Sequence, residues 1–234
     1  MPQGGGGTLK ERSIKGVDLF CGAGGLTRGL ELTGIDVVLG LDIDKDCEYP
    51  YESNNKASFF LKNIEEVSAE DLSDRFDDYS FSLLAGCAPC QPFSTYQQGK
   101  AGPSDKRLNL LDHFARLARE FRPDLVTMEN VPRLATQQVF KEFIGVLETE
   151  GFHVSFSVVN CADYGVPQHR KRLVLLASKL GPIELMPPTT PPESHRTVRQ
   201  AIEGLPELAA GEVCPADPLH QACELSPLNL KRIK

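Results

Sequence analysis

The chain has 234 residues, 41% hydrophobic and 24% charged, which suits one large domain, or one domain with an appendage, around a substantial core. Its net charge of -7 sits in the first 150 residues, where 16 Lys+Arg face 24 Asp+Glu, against 9 and 8 in the rest. That balance excludes a strong polyanion footprint, so a nucleic-acid partner would need basic surface from elsewhere; no apolar run approaches the ~18 residues of a membrane span.

Taken in chain order, residues 1–13 (MPQGGGGTLKERS) read as a flexible leader with no secretory apolar core, and the expectation is a soluble protein of the bacterial cytoplasm with no membrane contact. The seven cysteines are odd in number and scattered from Cys21 to Cys223, which argues for reduced thiols over a disulfide framework. Apolar runs at 16–20, 37–42, 81–86, 124–130, 153–160 and 172–178 suit strands buried on both faces of a mostly parallel sheet. Between them, 25–34, 108–121 and 139–151 carry helical spacing, and the first and last end in glycine. The alternation predicts an α/β fold with a doubly wound sheet. After Ser178 five prolines in LGPIELMPPTTPPESH mark an extended connector, followed by one short helix in RTVRQAIEGLPEL and a capped helical start in LSPLNLKRIK.

In DLFCGAGGLTRGL a strand empties through Gly22, Gly24 and Gly25 into a helix, so the backbone can turn sharply and offer N–H groups to a ligand. Asp42 closes the second strand, where an acid can accept hydrogen bonds from ribose hydroxyls. The loop is not G-x-G-x-x-G, because Thr27 takes the last glycine position, and no P-loop lysine follows. A nucleoside cofactor without pyrophosphate, S-adenosylmethionine, fits better.

The strand at 81–86 empties into CAPCQPFS, beside that loop at the carboxyl ends of the strands. Three readings of its cysteines compete. Zinc needs a second ligand pair, which the chain lacks, so no metal is expected. A thioredoxin-like pair should open a helix, which Pro92 disfavours. The third reading is a single nucleophile, Cys90, on a stiff loop between Pro89 and Pro92, with Cys87 a small buried packing residue.

DLFCGAGGLTRGL, GCAPCQPFS, MENVPRL and NCADYGVPQHRKRLVLLAS resemble, in order and spacing, the motifs of the cytosine-5 DNA methyltransferases, over residues 14–234. The resemblance implies a Rossmann-like S-adenosylmethionine-dependent methyltransferase fold with a catalytic domain at 14–180. Residues 181–234 would be a connector and short helices leading to an absent target-recognition domain.

It further implies that Cys90 adds to cytosine C6, that Glu129 holds N3 and favours its protonation, and that Asn130 braces the loop. A free thiol is only a few per cent ionised at neutral pH, so the loop must activate it. The glutamate must be protonated or share a proton beside the substrate. Arg170 would contact the base carbonyl or a nearby phosphate, Arg172 would brace the active site, and Gln91, Ser94 and Gln168 would support the substrate. For the cofactor the likeness assigns Phe20 near adenine, Asp42 on ribose and Pro89 near the methionine end. Asn63 stands where the family usually has an aspartate toward the adenine amino group; its amide oxygen could accept that bond but lacks charge.

The implied partner is double-stranded DNA with the target base extruded from the stack. A second polypeptide carrying the target-recognition domain and the last motifs is also expected, as in split restriction-modification methylases. The alternatives are a tRNA cytosine-5 methyltransferase and a non-catalytic cofactor-binding remnant.

Overall fold

The computed structural model describes residues 13–76, 81–89 and 110–233. These divide into two compact units. The first takes residues up to 161 together with 170–188, and the second takes 162–169 with residues from 189 onward.

The first unit is a seven-stranded sheet with helices. Along the chain come β1 (Ile14–Leu19), α1 (Gly25–Leu32), β2 (Asp36–Asp42), α2 (Glu48–Asn54), β3 (Ser58–Leu61), α3 (Ala69–Ser73) and β4 (Phe81–Gly86). They are followed by α4 (Leu110–Phe121), β5 (Leu125–Asn130), α5 (Gln138–Thr149), β6 (His153–Asn160) and β7 (Lys171–Ser178). The order across the sheet is β3-β2-β1-β4-β5-β7-β6. β1 to β5 pair in parallel, whereas β7 runs antiparallel to both β5 and β6.

Chain direction explains the mixture. The β3–β2–β1–β4–β5 core uses helical crossovers, and β6 then turns back into β7 at the sheet's edge, as an antiparallel pair can without a helix. The strands expected at 81–86 and 153–160 have those limits, and the other four shift by a residue or two. β3 falls in none of the predicted runs, so the strand at 81–86 is the fourth of the sheet and the third of the predicted runs.

The core forms because residues with both sheet and helix periodicity meet. Val17, Leu19, Leu39, Leu41, Leu84, Val126, Met128, Leu173 and Leu175 are buried on the strands. α4 turns Leu111, Phe114, Leu117 and Ala118 inward, and α5 turns Phe140, Phe143 and Leu147. Phe114 and Phe143 meet edge to face with centroids 5.3 Å apart. Such a contact adds about 0.5–1.5 kcal/mol beyond the area it buries. Just past the end of α5, Gly151 turns the chain with a φ of 87°, which glycine adopts without strain.

The second unit holds α6 (Val198–Ile202), the antiparallel pair β8 (Val213–Cys214) and β9 (Asp217–Gln221), and α7 (Pro227–Ile233). Thr197 and Gln200 form a capping box on α6, and the Ser226 hydroxyl accepts from Asn229 N, as the capped start in LSPLNLKRIK predicts. Among the described residues no helix is long and apolar enough to cross a membrane.

Candidate active site

Doubly wound sheets bind ligands beyond the carboxyl ends of their strands. Here β1 and β4 are parallel neighbours, with Leu19 opposite Gly86, so the glycine loop after β1 and the cysteine segment after β4 leave the sheet side by side.

Phe20 turns the chain out of β1 with φ 60°, a left-handed conformation rare for a bulky residue and therefore a place of stored strain. Gly22 and Gly24 follow with φ 51° and 88°. At Gly24 an added Cβ would overlap the Asn55 amide and come within 2.8 Å of the Tyr51 ring, so both conformation and space demand glycine. Gly25, the first residue of α1, is exposed and has open space around it.

A glycine cap has no side chain to satisfy the free N–H groups of α1. Asp18 of β1 does so from outside the helix. Its Oδ2 accepts from Thr27 N at 3.1 Å and from Thr27 Oγ1 at 2.8 Å. Because the Thr27 hydroxyl hydrogen goes to Asp18, Tyr51 donates its own to Thr27 Oγ1 at 3.0 Å. Asp18 is fully buried and its Oδ1 has no partner among the described residues, so burial pushes its carboxyl up to about 7 against the Thr27 hydrogen bonds that favour the charged form. Burial also raises the neighbouring Cys21 thiol and Tyr51 phenol. The sequence reading passed over Asp18; its signal was an acid inside an otherwise apolar run.

Two N–H groups expected to face a ligand are thus taken, Thr27's by Asp18 and Gly22's by Asp42 Oδ2 at 2.9 Å. Asp42 Oδ1 accepts from Asp44 N at 3.0 Å. Each carboxylate oxygen keeps a second lone pair, so Asp42 can still receive two hydroxyls. Asn63 caps a 3-10 turn, its Oδ1 accepting from Glu65 N at 3.2 Å. The oxygen expected to meet an adenine amino group therefore already accepts from the backbone.

Phe20, Asp42, Asn63 and Pro89 line one cleft of about 230 Å³, together with Leu41, Ile43, Lys62, Ile64, Glu65 and Leu110. Full ligand pockets run to about 300–1,000 Å³, so this one suits a nucleoside better than a dinucleotide. Apolar walls for a base and a carboxylate for ribose are the donor set that S-adenosylmethionine requires, and the residues fit it.

The second group of side chains sits at the ends of β4, β5 and β7. Glu129, half-buried near the end of β5, receives Arg172 Nε on Oε1 at 2.6 Å. Its Oε2 accepts from the Cys87 thiol at 2.7 Å. Cys87 is therefore no buried packing residue. It is half-buried and polar-paired, because in-register parallel pairing of β4 and β5 carries residue 87 alongside residue 129. Asn130 Nδ2 donates to Ala88 O at 3.1 Å, and its own Oδ1 accepts from Val131 N at 2.7 Å, an arrangement that ties the segment after β4 to the end of β5.

Arg170 is exposed one residue before β7, and its carbonyl accepts from Cys161 N at 2.8 Å. Gln168 belongs to the second unit, where it is exposed. Cys90, Gln91 and Ser94 lie outside the described residues.

The sequence profile of C-5 cytosine-specific DNA methylases matches residues 14–217. Type II methylase M.HgiDII of Herpetosiphon aurantiacus is 47% identical over 221 residues, covering 93% of this chain and 62% of the relative. Type II methyltransferase M.XorII of Xanthomonas oryzae pv. oryzae is 35% identical, over 82% of this chain and 46% of the relative. The chain thus spans less than two thirds of these relatives. Among solved structures, the Entamoeba histolytica methyltransferase EhMeth superposes with a TM-score of 0.64 at 22% identity, over 75% of this chain and 55% of that one, which shows a shared fold.

Proposed function

Because the chain belongs to the C-5 cytosine-specific DNA methylase family, we propose that it is the catalytic part of an enzyme methylating C5 of cytosine in duplex DNA. The observation that carries this reading is a juxtaposition. Pro89 lines the nucleoside-sized cleft, and Cys87, two residues earlier, touches the Glu129–Arg172 pair, so cofactor site and acid–base group share one short segment.

In this reading Phe20, Asp42, Asn63 and Pro89 hold S-adenosylmethionine, which supplies an electrophilic methyl group when bound, and Gly22, Gly24 and Gly25 let the loop approach it. Cys90 adds its sulfur to C6 of the extruded base. Electron density moves toward N3, where the Glu129 carboxyl provides or holds a proton, and C5 becomes nucleophilic. Arg172 fixes Glu129. Arg170 meets the base carbonyl or an adjacent phosphate, while Asn130, Gln91, Ser94 and Gln168 support the substrate loop. Loss of the C5 proton and departure of the Cys90 sulfur then restore the aromatic ring.

These relatives are longer than this chain. Residues 1–150 carry excess acid, so basic DNA-facing surface has to come from outside them. The type II names of the relatives favour a role in restriction-modification.

The test is tritiated methyl transfer from S-adenosylmethionine to unmethylated genomic DNA and to tRNA, with the chain alone and with the product of the neighbouring reading frame. DNA labelling lost in Cys90→Ser and retained in Cys87→Ser is expected. Labelling confined to tRNA would transfer the reading to a tRNA methyltransferase, and equal loss from both cysteine variants would restore the paired-cysteine reading.

A further inference from the structure

The contact between Cys87 and Glu129 has no place in the mechanism above. Its geometry follows from strand register. Gly86 stands opposite Met128 in the parallel β4–β5 pair, so the next residues, 87 and 129, emerge on one face. Glu129 stands opposite Val174 in the antiparallel β5–β7 pair, and Arg172, two residues from Val174, lies diagonally on that same face. Three strands thus deliver a thiol, a carboxylate and a guanidinium to one point, Sγ 2.7 Å from Oε2 and Nε 2.6 Å from Oε1.

The two donors differ in kind. Arg172 is a fixed cation, further held by its own Nη1 donating to Lys171 O at 2.8 Å. The thiol is a neutral, weak donor. It can orient the carboxylate without adding charge, and it leaves the second lone pair of each oxygen open to an incoming group. A carboxylate gripped on one oxygen alone can still swing about its terminal torsion, which is broad and roughly two-fold; gripped on both, it cannot.

We propose that Cys87 is a positioning residue for Glu129. Its S–H and the Arg172 guanidinium clamp the two carboxylate oxygens and fix the plane in which Glu129 meets cytosine N3. The role rests on the methyltransfer reading above, but the clamp itself does not.

The test separates the two. In the infrared spectrum of the purified chain, subtracting the Cys87→Ala spectrum isolates the Cys87 S–H stretch. The expected band lies below that of a thiol in water and moves upward in Glu129→Gln. A band at the water position would overturn the proposal without touching the function. In the complete enzyme with tritiated S-adenosylmethionine and unmethylated genomic DNA, Cys87→Ala should slow single-turnover transfer by about tenfold, the upper end of the net worth of an ordinary hydrogen bond. Cofactor KM should stay unchanged, and Cys87→Ser, whose hydroxyl donates to the same oxygen, should recover most of the rate. A shifted band with undiminished transfer in Cys87→Ala would also overturn the positioning role. A shifted band with no transfer by the wild-type enzyme to either nucleic acid would sink the function reading, and the role with it.

Discussion

Asp18 and Glu129 are both carboxylates near the carboxyl ends of sheet strands, and they are held in opposite ways. Asp18 is entirely buried, with one oxygen capping α1 and the other unpartnered among the described residues. Glu129 is half-buried, with a partner on each oxygen and lone pairs left over. The first environment resists charge and fixes backbone, since its hydrogen bonds go to Thr27 in the first turn of α1, directly after the loop that the cofactor would rest on. The second offers a spare acceptor site on each oxygen to something arriving. The lesson is that a cofactor loop can be built from an inward-facing acid, whereas chemistry needs one whose partners leave room.

The sharpest way to break that contrast is Glu129→Gln in the complete enzyme. Glutamine keeps the shape and an acceptor for Arg172 but cannot carry the proton for N3. Methyl transfer should fall by about 10²–10⁴-fold, the usual worth of a general acid or base, while the chain still folds and melts cooperatively, because the amide oxygen continues to accept from Arg172. Loss of folding with loss of activity would make Glu129 a structural residue like Asp18.

Asp18 should show the reverse, through pH. Its folded-state pKa of about 7 lies above the ordinary aspartate value, so between about pH 4 and 7 the native chain holds a proton that the unfolded chain has released. This contribution is fully present below about pH 4 and is lost as pH rises through 7, spanning at most about 4 kcal/mol. The proton goes to Oδ1, because Oδ2 is already accepting from Thr27. Urea denaturation at a series of pH values should show this decline in the wild type and a flatter profile in Asp18→Asn. Equal slopes would mean that the buried carboxyl titrates normally.

These contrasts also mark what could be read from sequence. The central strands were legible because burial on both faces writes a continuous apolar run, and α4 and α5 because one apolar face repeats along each helix. β3 was not, since Ser58–Leu61 is four residues at a sheet edge with both ends exposed. α2 was not, since EYPYESN buries only Tyr51 and carries a proline. Motif likeness pointed to Phe20, Asp42, Asn63 and Pro89, which the fold brings to one cleft. It did not show that Asn63 is occupied as a cap, nor that Cys87 reaches a carboxylate 42 residues away. The cap is a local contact two residues along the chain, which motif likeness does not mark; the thiol–carboxylate contact depends on tertiary register, which no local pattern carries.

A third carboxylate, Asp71, supplies the smallest expected effect and a control for the other two. Its Oδ2 receives Lys62 Nζ at 2.7 Å and Ser68 N at 2.8 Å, inside the capping box of α3. The Lys62 hydrogen bond, then the Ser68 backbone, hold its carboxyl below the usual aspartate range. The sign is opposite to that of Asp18: the contribution is present above about pH 4 and lost as pH falls through the folded-state value. Both side chains are 26% exposed, so water and salt screen the pair. Lys62→Met should therefore cost only about 0.2–1 kcal/mol in urea denaturation at neutral pH, and less in high salt. Lys62 also lines the cleft, so calorimetric titration with S-adenosylmethionine reads its second role. Unchanged affinity would make the ammonium a strut for α3; affinity lowered more than stability would place it among the cofactor-binding groups.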